Sequence, residues 1–252
     1  MRVRSYEIAA GGFPGRITIA LVTDVHQRQP EEALAALKAM RPDMICMAGD
    51  ILERNDNGMD PREGMEEAAP YRAVNARLRR GRGRKDSENA FRLFREAGKL
   101  APVFMSVGNH EWYFTEEDKL VMAHSGVTLL DNQHLFRFGF WIGGLSSAPD
   151  LNWLDRFCEK DGFKLLLCHH PEYYDRYLRQ RPVDLTLSGH AHGGQIRLLG
   201  RGLFAPGQGL LPQYTRGVYE NRLVVSAGYA NTVPIPRWGN PREIVAIRIH
   251  GA

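Results

Sequence analysis

Six apolar stretches punctuate the chain, and each stops abruptly at polar or flexible residues. Ile17–Val22 runs into Thr23-Asp24-Val25-His26, and Asp43–Ala48 runs into Gly49-Asp50. Pro102–Val107 meets Gly108-Asn109-His110-Glu111, and Phe163–Cys168 meets His169-His170-Pro171. Val183–Ser188 meets Gly189-His190-Ala191-His192, and Arg222–Ala227 meets Gly228. Continuous apolar runs suit strands buried on both faces, whereas strict alternation would mark one wetted face. Helical periodicity lies between them, over Pro30–Met40, Ser87–Leu100 and about Asp150–Cys158. In the first of these, Ala33, Leu34, Leu37 and Met40 share one face and Pro30 stands at the start. Alternating strands and helices predict an α/β protein whose ligands bind beyond the C-terminal ends of strands. Those ends carry nearly all the chemically interesting side chains.

From about residue 53 to 86 the apolar pattern fails. This polar excursion holds Asn55-Asp56-Asn57-Gly58, Asp60-Pro61 and the run Arg77 to Lys85, with six positive charges in nine residues. A segment of this length reads as a lid, a binding loop or a solvated surface loop. No repeat and no linker divides the 252 residues, so one domain spanning 1–252 is expected. The net charge of +4 resides largely in the arginine run. Such charge attracts phosphorylated metabolites, nucleic acid and anionic headgroups alike. Cys46, Cys158 and Cys168 are odd in number without CxxC spacing, which argues against a disulfide framework. The chain lacks both an apolar run long enough to cross a bilayer and the apolar core of a signal peptide. A reduced, cytoplasmic setting is therefore expected.

Asp24 and His26, two apart at a strand end, can present side chains on one side. Asp50 follows a glycine, where one carboxylate can serve two ions. Asn109 offers an amide oxygen, and His169, His190 and His192 offer imidazoles. Mixed carboxylate, amide and imidazole donors suit Mn²⁺, Fe²⁺ or Zn²⁺ better than thiophilic metals. Each motif by itself is common; five at strand termini with compatible chemistry point to a paired metal centre. Two divalent ions would acidify a bridging water and clamp phosphoryl oxygens. His110 adjoins Asn109 and is the candidate proton or hydrogen-bond donor to the leaving group.

These blocks, Asp24-Val25-His26, Gly49-Asp50, Gly108-Asn109-His110-Glu111, His169 and Gly189-His190-Ala191-His192, resemble the calcineurin-like metallophosphoesterases across roughly residues 15–250. The resemblance implies two stacked mixed β-sheets flanked by helices. It implies one metal on Asp24, His26, Asp50 and His192, and a second on Asp50, Asn109, His169 and His190. It implies that a hydroxide bridging two ions, with Mn²⁺ foremost, attacks the phosphate ester, with Asp50 and His110 as catalytic residues. It also favours His169 over His170, two residues before Pro171, as the ligand. Gly189–Ile196 and the tail Pro234–Arg237 to Pro241–Ile244 look like the bacterial branch of membrane-associated phosphodiesterases and UDP-2,3-diacylglucosamine pyrophosphatases. That branch implies a phosphorylated small-molecule or lipid substrate and peripheral membrane contact, although the usual membrane or export segment is missing.

Two other function classes stand beside this one. A non-enzymatic scaffold would have lost ligands or His110, yet all are present. The arginine run lacks the aromatic or recognition-helix pattern of specific nucleic-acid binding. Trp112 and Tyr113 follow Glu111 at the mouth of the site, where they either stack on a base or acyl group or pack in the core, and Arg237 could reach a distal phosphate. His124, His134 and His250 read as surface or structural residues.

Overall fold

The computed structural model describes residues 1–54, 87–231 and 236–251. Its apolar runs become strands within one or two residues of their predicted limits: β2 (Arg16–Val22), β3 (Met44–Ala48), β4 (Val103–Ser106), β8 (Lys164–Cys168), β9 (Leu185–Ser188) and β15 (Leu223–Val225). The three predicted helices appear as α1 (Glu31–Met40), α2 (Ser87–Gly98) and α4 (Leu151–Cys158). The Asp150 side chain caps α4 by accepting from the backbone N–H of Trp153.

Further elements complete the layers. These are β1 (Arg2–Ala10), α3 (Glu116–His124), β5 (Val127–Leu130), β6 (Gln133–Arg137), β7 (Phe140–Leu145), β14 (Gly217–Tyr219) and β16 (Glu243–Gly251). Four two-residue strands, β10 (Arg197–Leu198), β11 (Arg201–Gly202), β12 (Phe204–Ala205) and β13 (Gly209–Leu210), form two small hairpins.

One six-stranded sheet runs β1-β16-β2-β3-β4-β5 and the other β14-β15-β9-β8-β7-β6. Both are mixed. In the first, β2 to β5 are parallel while β16 enters antiparallel to β2. In the second, β7, β8, β9 and β15 are parallel between antiparallel edges.

Side-chain alternation explains why the central runs are apolar throughout. On β2, Ile19 and Leu21 enter the core between the sheets, with Cys46, Phe104, Leu165 and Leu187. Ala20 and Val22 face the other way, under Leu37 of α1 and Phe94 of α2. On the second sheet, Leu166 and Cys168 turn outward beneath Trp153 and Phe157 of α4. Helices therefore cover both outer faces of a two-sheet sandwich, as expected. Cys46 and Cys168 are buried free thiols within it.

Parallel strands end on the same side. The chain leaves β2, β3 and β4 at Asp24, Asp50 and Asn109, and leaves β8 and β9 at His169 and His190. Beyond the strands the loops knit together. The amides of Asp24 and His26 bond to the carbonyls of Gly49 and Asp50, and Tyr229 N–H donates to Thr23 across the sheets.

Candidate metal centre

The backbone bends sharply at the site. Asp24, His26, Asp50, His190 and His192 all have positive φ, between 45° and 63°. Non-glycine residues adopt this region at an energetic cost and gather where function requires a particular aim. Glycines beside them leave no room for a side chain. A Cβ on Gly49 would lie 2.6 Å from His169 Nδ1, one on Gly108 2.1 Å from Asp50 Oδ1, and one on Gly189 2.6 Å from Asp24 Oδ2. The Gly-Asp, Gly-Asn-His and Gly-His-x-His spacings thus reflect close approach of three loops.

The structure brings Asp24, His26, Asp50, Asn109, His169, His190 and His192 to one buried locus. Ligand atoms of Asp24, His26 and His192 lie within 4.8 Å of one another, as do those of Asp50, His169 and His190. Asp50 stands between the groups. Its Oδ2 is 3.1 Å from His169 Nε2 and 3.7 Å from His26 Nε2, and its Oδ1 accepts the His110 N–H at 2.9 Å. Asn109 Oδ1 is 3.1 Å from His169 Nε2. His169 Nδ1 donates to the Ala48 carbonyl at 2.7 Å, which leaves Nε2 facing the carboxylates.

The donor set fits a divalent cation. Among the described residues, Asp24 Oδ2 and His26 Nε2 are buried with no hydrogen-bond partner, a costly arrangement unless an ion compensates. Burial, reinforced by His170 and His169, pushes His190 well below its ordinary range. Burial also takes His192 down to about 4, against the pull of Asp24 and with help from Arg237. Both imidazoles are therefore neutral at physiological pH, as ligation requires. Burial would lower His169 too, but Asp50 and Asp24 raise it to about 10, a measure of the negative field at this point.

Four supporting residues went unassigned or misassigned in the sequence. Glu53, at the supposed start of the polar excursion, is buried at 7% exposure. Its Oε1 lies 2.7 Å from His26 Nδ1 and its Oε2 lies 2.9 Å from His110 Nδ1. One carboxylate thus holds both imidazoles with Nε2 toward Asp50. Arg54, also placed in the excursion, is 2% exposed and donates from Nε and Nη2 to Asp118 of α3 at 2.8 and 2.6 Å. The remaining excursion and its arginine run lie outside the described residues.

Glu111 accepts the amides of Ile51, Leu52, Asp50 and Gly108 at 2.8–3.1 Å and so splices two loops together. Arg237 turns inward, with Nη2 3.0 Å from His192 Nδ1 and bonds to the carbonyls of Gly228 and Ala230. It buttresses His192, a contact that spacing alone does not reveal. The only local hint for Glu53 is the Asp50-x-x-Glu53 interval.

His170 stays apart from Asp24 and Asp50. It contacts Glu172 Oε1 at 3.1 Å and Ser147 Oγ at 3.0 Å, and stacks on Tyr173. Trp112 Nε1 donates to Asn109 O at 2.7 Å, so this ring anchors the Asn109 loop. His134 packs among Trp141, Trp153 and Phe157, a structural role.

The sequence pattern of the family described as calcineurin-like phosphoesterase matches residues 17–194. The chain is 25% identical over 273 residues to an uncharacterized metallophosphoesterase, Cj0846, of Campylobacter jejuni, covering 99% of this chain and 63% of that protein. It is 24% identical to the uncharacterized protein YpbG of Bacillus subtilis, over 89% of this chain and 78% of that one. Over 116 residues it is 31% identical to the phosphodiesterase YaeI of Escherichia coli, covering 40% of each. The chain thus spans less than two thirds of the Campylobacter relative.

Proposed function

The chain belongs to the calcineurin-like phosphoesterase family, and from that premise we propose that it hydrolyses phosphodiesters at a centre of two divalent ions. Asp24, His26, Asp50 and His192 would hold one ion, and Asp50, Asn109, His169 and His190 the other. Manganese leads among the candidates, with iron(II) and zinc suited to the same donors. Such ions supply Lewis acidity toward phosphoryl oxygens and a nucleophilic water at neutral pH.

The observation that carries this reading is the position of Asp50, within reach of His169 and His26 at once. The chain's own contribution is orientation and proton supply. Glu53 fixes the His110 ring, whose Nε2 is 3.9 Å from Asp50 Oδ2. Burial lowers the His110 basicity, but Asp50 and Glu53 outweigh it and raise the ring to about 9. The ring so placed keeps Nε2 on the Asp50 side. It can donate to a phosphoryl or leaving-group oxygen that loses its ester partner.

Similarity to a protein named phosphodiesterase YaeI favours a diester. A nucleotide-linked lipid pyrophosphate such as UDP-2,3-diacylglucosamine offers the same phosphoryl oxygens and is the second substrate to screen. The decisive experiment compares bis-p-nitrophenyl phosphate with p-nitrophenyl phosphate, with Mn²⁺ and after chelation. Metal-dependent turnover of the diester is expected, and it should collapse in folded Asp50→Ala and His110→Ala variants. Full turnover in Asp50→Ala would remove the shared-carboxylate assignment. Metal binding without turnover of any phosphate ester would point to a scaffold.

A further inference from the structure

Three half-buried arginines gather where the open edges of the two sheets meet: Arg4 on β1, Arg197 on β10 and Arg216 just before β14. One carboxylate, Glu243 at the start of β16, stands near all three. It is fully buried and both its oxygens are taken, Oε2 by Arg4 Nε and Oε1 by the Ala227 N–H, each at 3.0 Å. Arg197 commits its Nη groups to the Gly193 and Gly200 carbonyls and to Thr215 Oγ1. Its Nε is left buried with no hydrogen-bond partner among the described residues, and so is Nη1 of Arg216. Arg216 also forms no ion pair among the described residues.

Packing holds the group in place. The Tyr219 hydroxyl accepts the Thr215 and Arg216 N–H groups at 3.0 and 3.4 Å, which fixes the turn that carries Arg216. Tyr6, two residues along β1 from Arg4, and Val218, two beyond Arg216, pack against the same core between the sheets. Burial lowers the basicity of Arg197 and of Arg216, and repulsion from the neighbouring guanidinium groups adds to it. One carboxylate thus faces three guanidinium charges, two of which keep an unpaired buried donor. Such donors are costly in isolation and suit a multiply charged oxyanion, which an arginine fork matches in geometry.

The cluster adjoins the metal centre. Glu243 N–H donates to the Gly228 carbonyl, and a Cβ on Gly228 would lie 2.6 Å from Asp24 Oδ2. Arg197 holds the carbonyl of Gly193, the residue after His192. Arg237, by contrast, is occupied with His192 itself. We propose that Arg216, with Arg4 and Nε of Arg197, binds a phosphate-type oxyanion beside the metal centre. Its source is either a second phosphoryl group on the molecule held by the metals or free inorganic phosphate. Binding of the anion requires no turnover, so the site stands or falls apart from the hydrolytic reading.

The test is calorimetric titration of the full chain with inorganic phosphate at constant ionic strength, before and after chelation. Chelation should remove uptake at the metals and leave a second component. Arg216→Gln should weaken that component at least about tenfold. Arg216→Lys, which keeps the charge without the fork, should bind with intermediate affinity and carries the test if the glutamine variant does not fold. Arg201→Gln, an exposed position outside the cluster, should bind as the native chain does. ADP and AMP then separate the sources in the metal-loaded protein. Tighter binding of ADP that Arg216→Gln abolishes assigns the site to a second phosphoryl group, whereas equal affinities assign it to free phosphate. Absence of phosphate uptake by the chelated native chain would overturn the proposal, as would native-like uptake by folded Arg216→Gln.

Discussion

Glu53→Gln preserves volume while removing the charge that two imidazoles share. In the native chain Glu53 accepts from the Nδ1–H of His26 and of His110, at 2.7 and 2.9 Å. Glutamine can accept one of these bonds through its oxygen. Its amide group must face the other ring as a donor, which drives that ring's proton onto Nε2, on the side of Asp50. For His26 this blocks the lone pair offered to a metal; for His110 it loosens the donor's aim.

A charge-assisted bond contributes about 1.5–3 kcal/mol and a neutral one about 1 kcal/mol. Turning both charge-assisted bonds into neutral ones, one of them reversed, therefore removes roughly 1–4 kcal/mol of orientation. Other contacts retain part of this, because His26 stacks on His192 and packs edge-on against His110. The expected fall in kcat/KM is about 30- to 100-fold, within the range for residues that orient ligands. The assay is bis-p-nitrophenyl phosphate hydrolysis at saturating Mn²⁺, with Mn²⁺ affinity measured separately by calorimetry. If His110 dominates, kcat falls with metal affinity intact; if His26 dominates, the affinity falls first. A folded Glu53→Gln protein with native affinity and kcat/KM within threefold of native, roughly 0.7 kcal/mol, would refute the reasoning.

Gly108→Ala would set a Cβ 2.1 Å from Asp50 Oδ1 and 2.4 Å from Asp50 N, so Asp50 must move. Its activity should fall at least about a hundredfold while the far-UV circular dichroism persists. Asp118→Asn leaves the Arg54 guanidinium buried beside a neutral partner and should cost about 3–5 kcal/mol in urea unfolding. Burial raises the Asp118 carboxyl, yet the bonds from Arg54 and Thr115 prevail and hold it below its ordinary value. Its stabilisation is thus complete above about pH 4 and lost as pH falls through the native value, so the native and Asp118→Asn curves should converge in acid. Because Asp24 Oδ2 and His26 Nε2 are buried with no hydrogen-bond partner among the described residues, chelation should lower Tm by about 5–10 °C and Mn²⁺ should restore it. An unchanged melting curve would contradict a metal-stabilised centre.

Elements differ in how plainly the sequence announces them. Central strands such as β3, buried at every position, appear as unbroken apolar runs because both faces are covered. Strand β6, Gln133-His134-Leu135-Phe136-Arg137, lies at a sheet edge with no fully buried residue and carries no such signal. Helix α3 was likewise silent, since its buried face holds Asp118 beside Met122. The buried aspartate closes the helix N-terminus with Thr115 and also pairs with Arg54, 64 positions away in sequence.

The candidate ligands were legible for a related reason. Parallel strands leave a sheet on one side, so polar residues directly after apolar runs must converge. The sequence by itself therefore determined the strand-helix alternation, the seven ligand candidates and their common edge. Tertiary structure alone decided what supports them. It turned Glu53 and Arg54 from the supposed excursion into the interior, set Glu111 across two loops and directed Arg237 onto His192. Periodicity reports the burial of a continuous face, but a single carboxylate or guanidinium acquires its role only from a partner brought close by the fold.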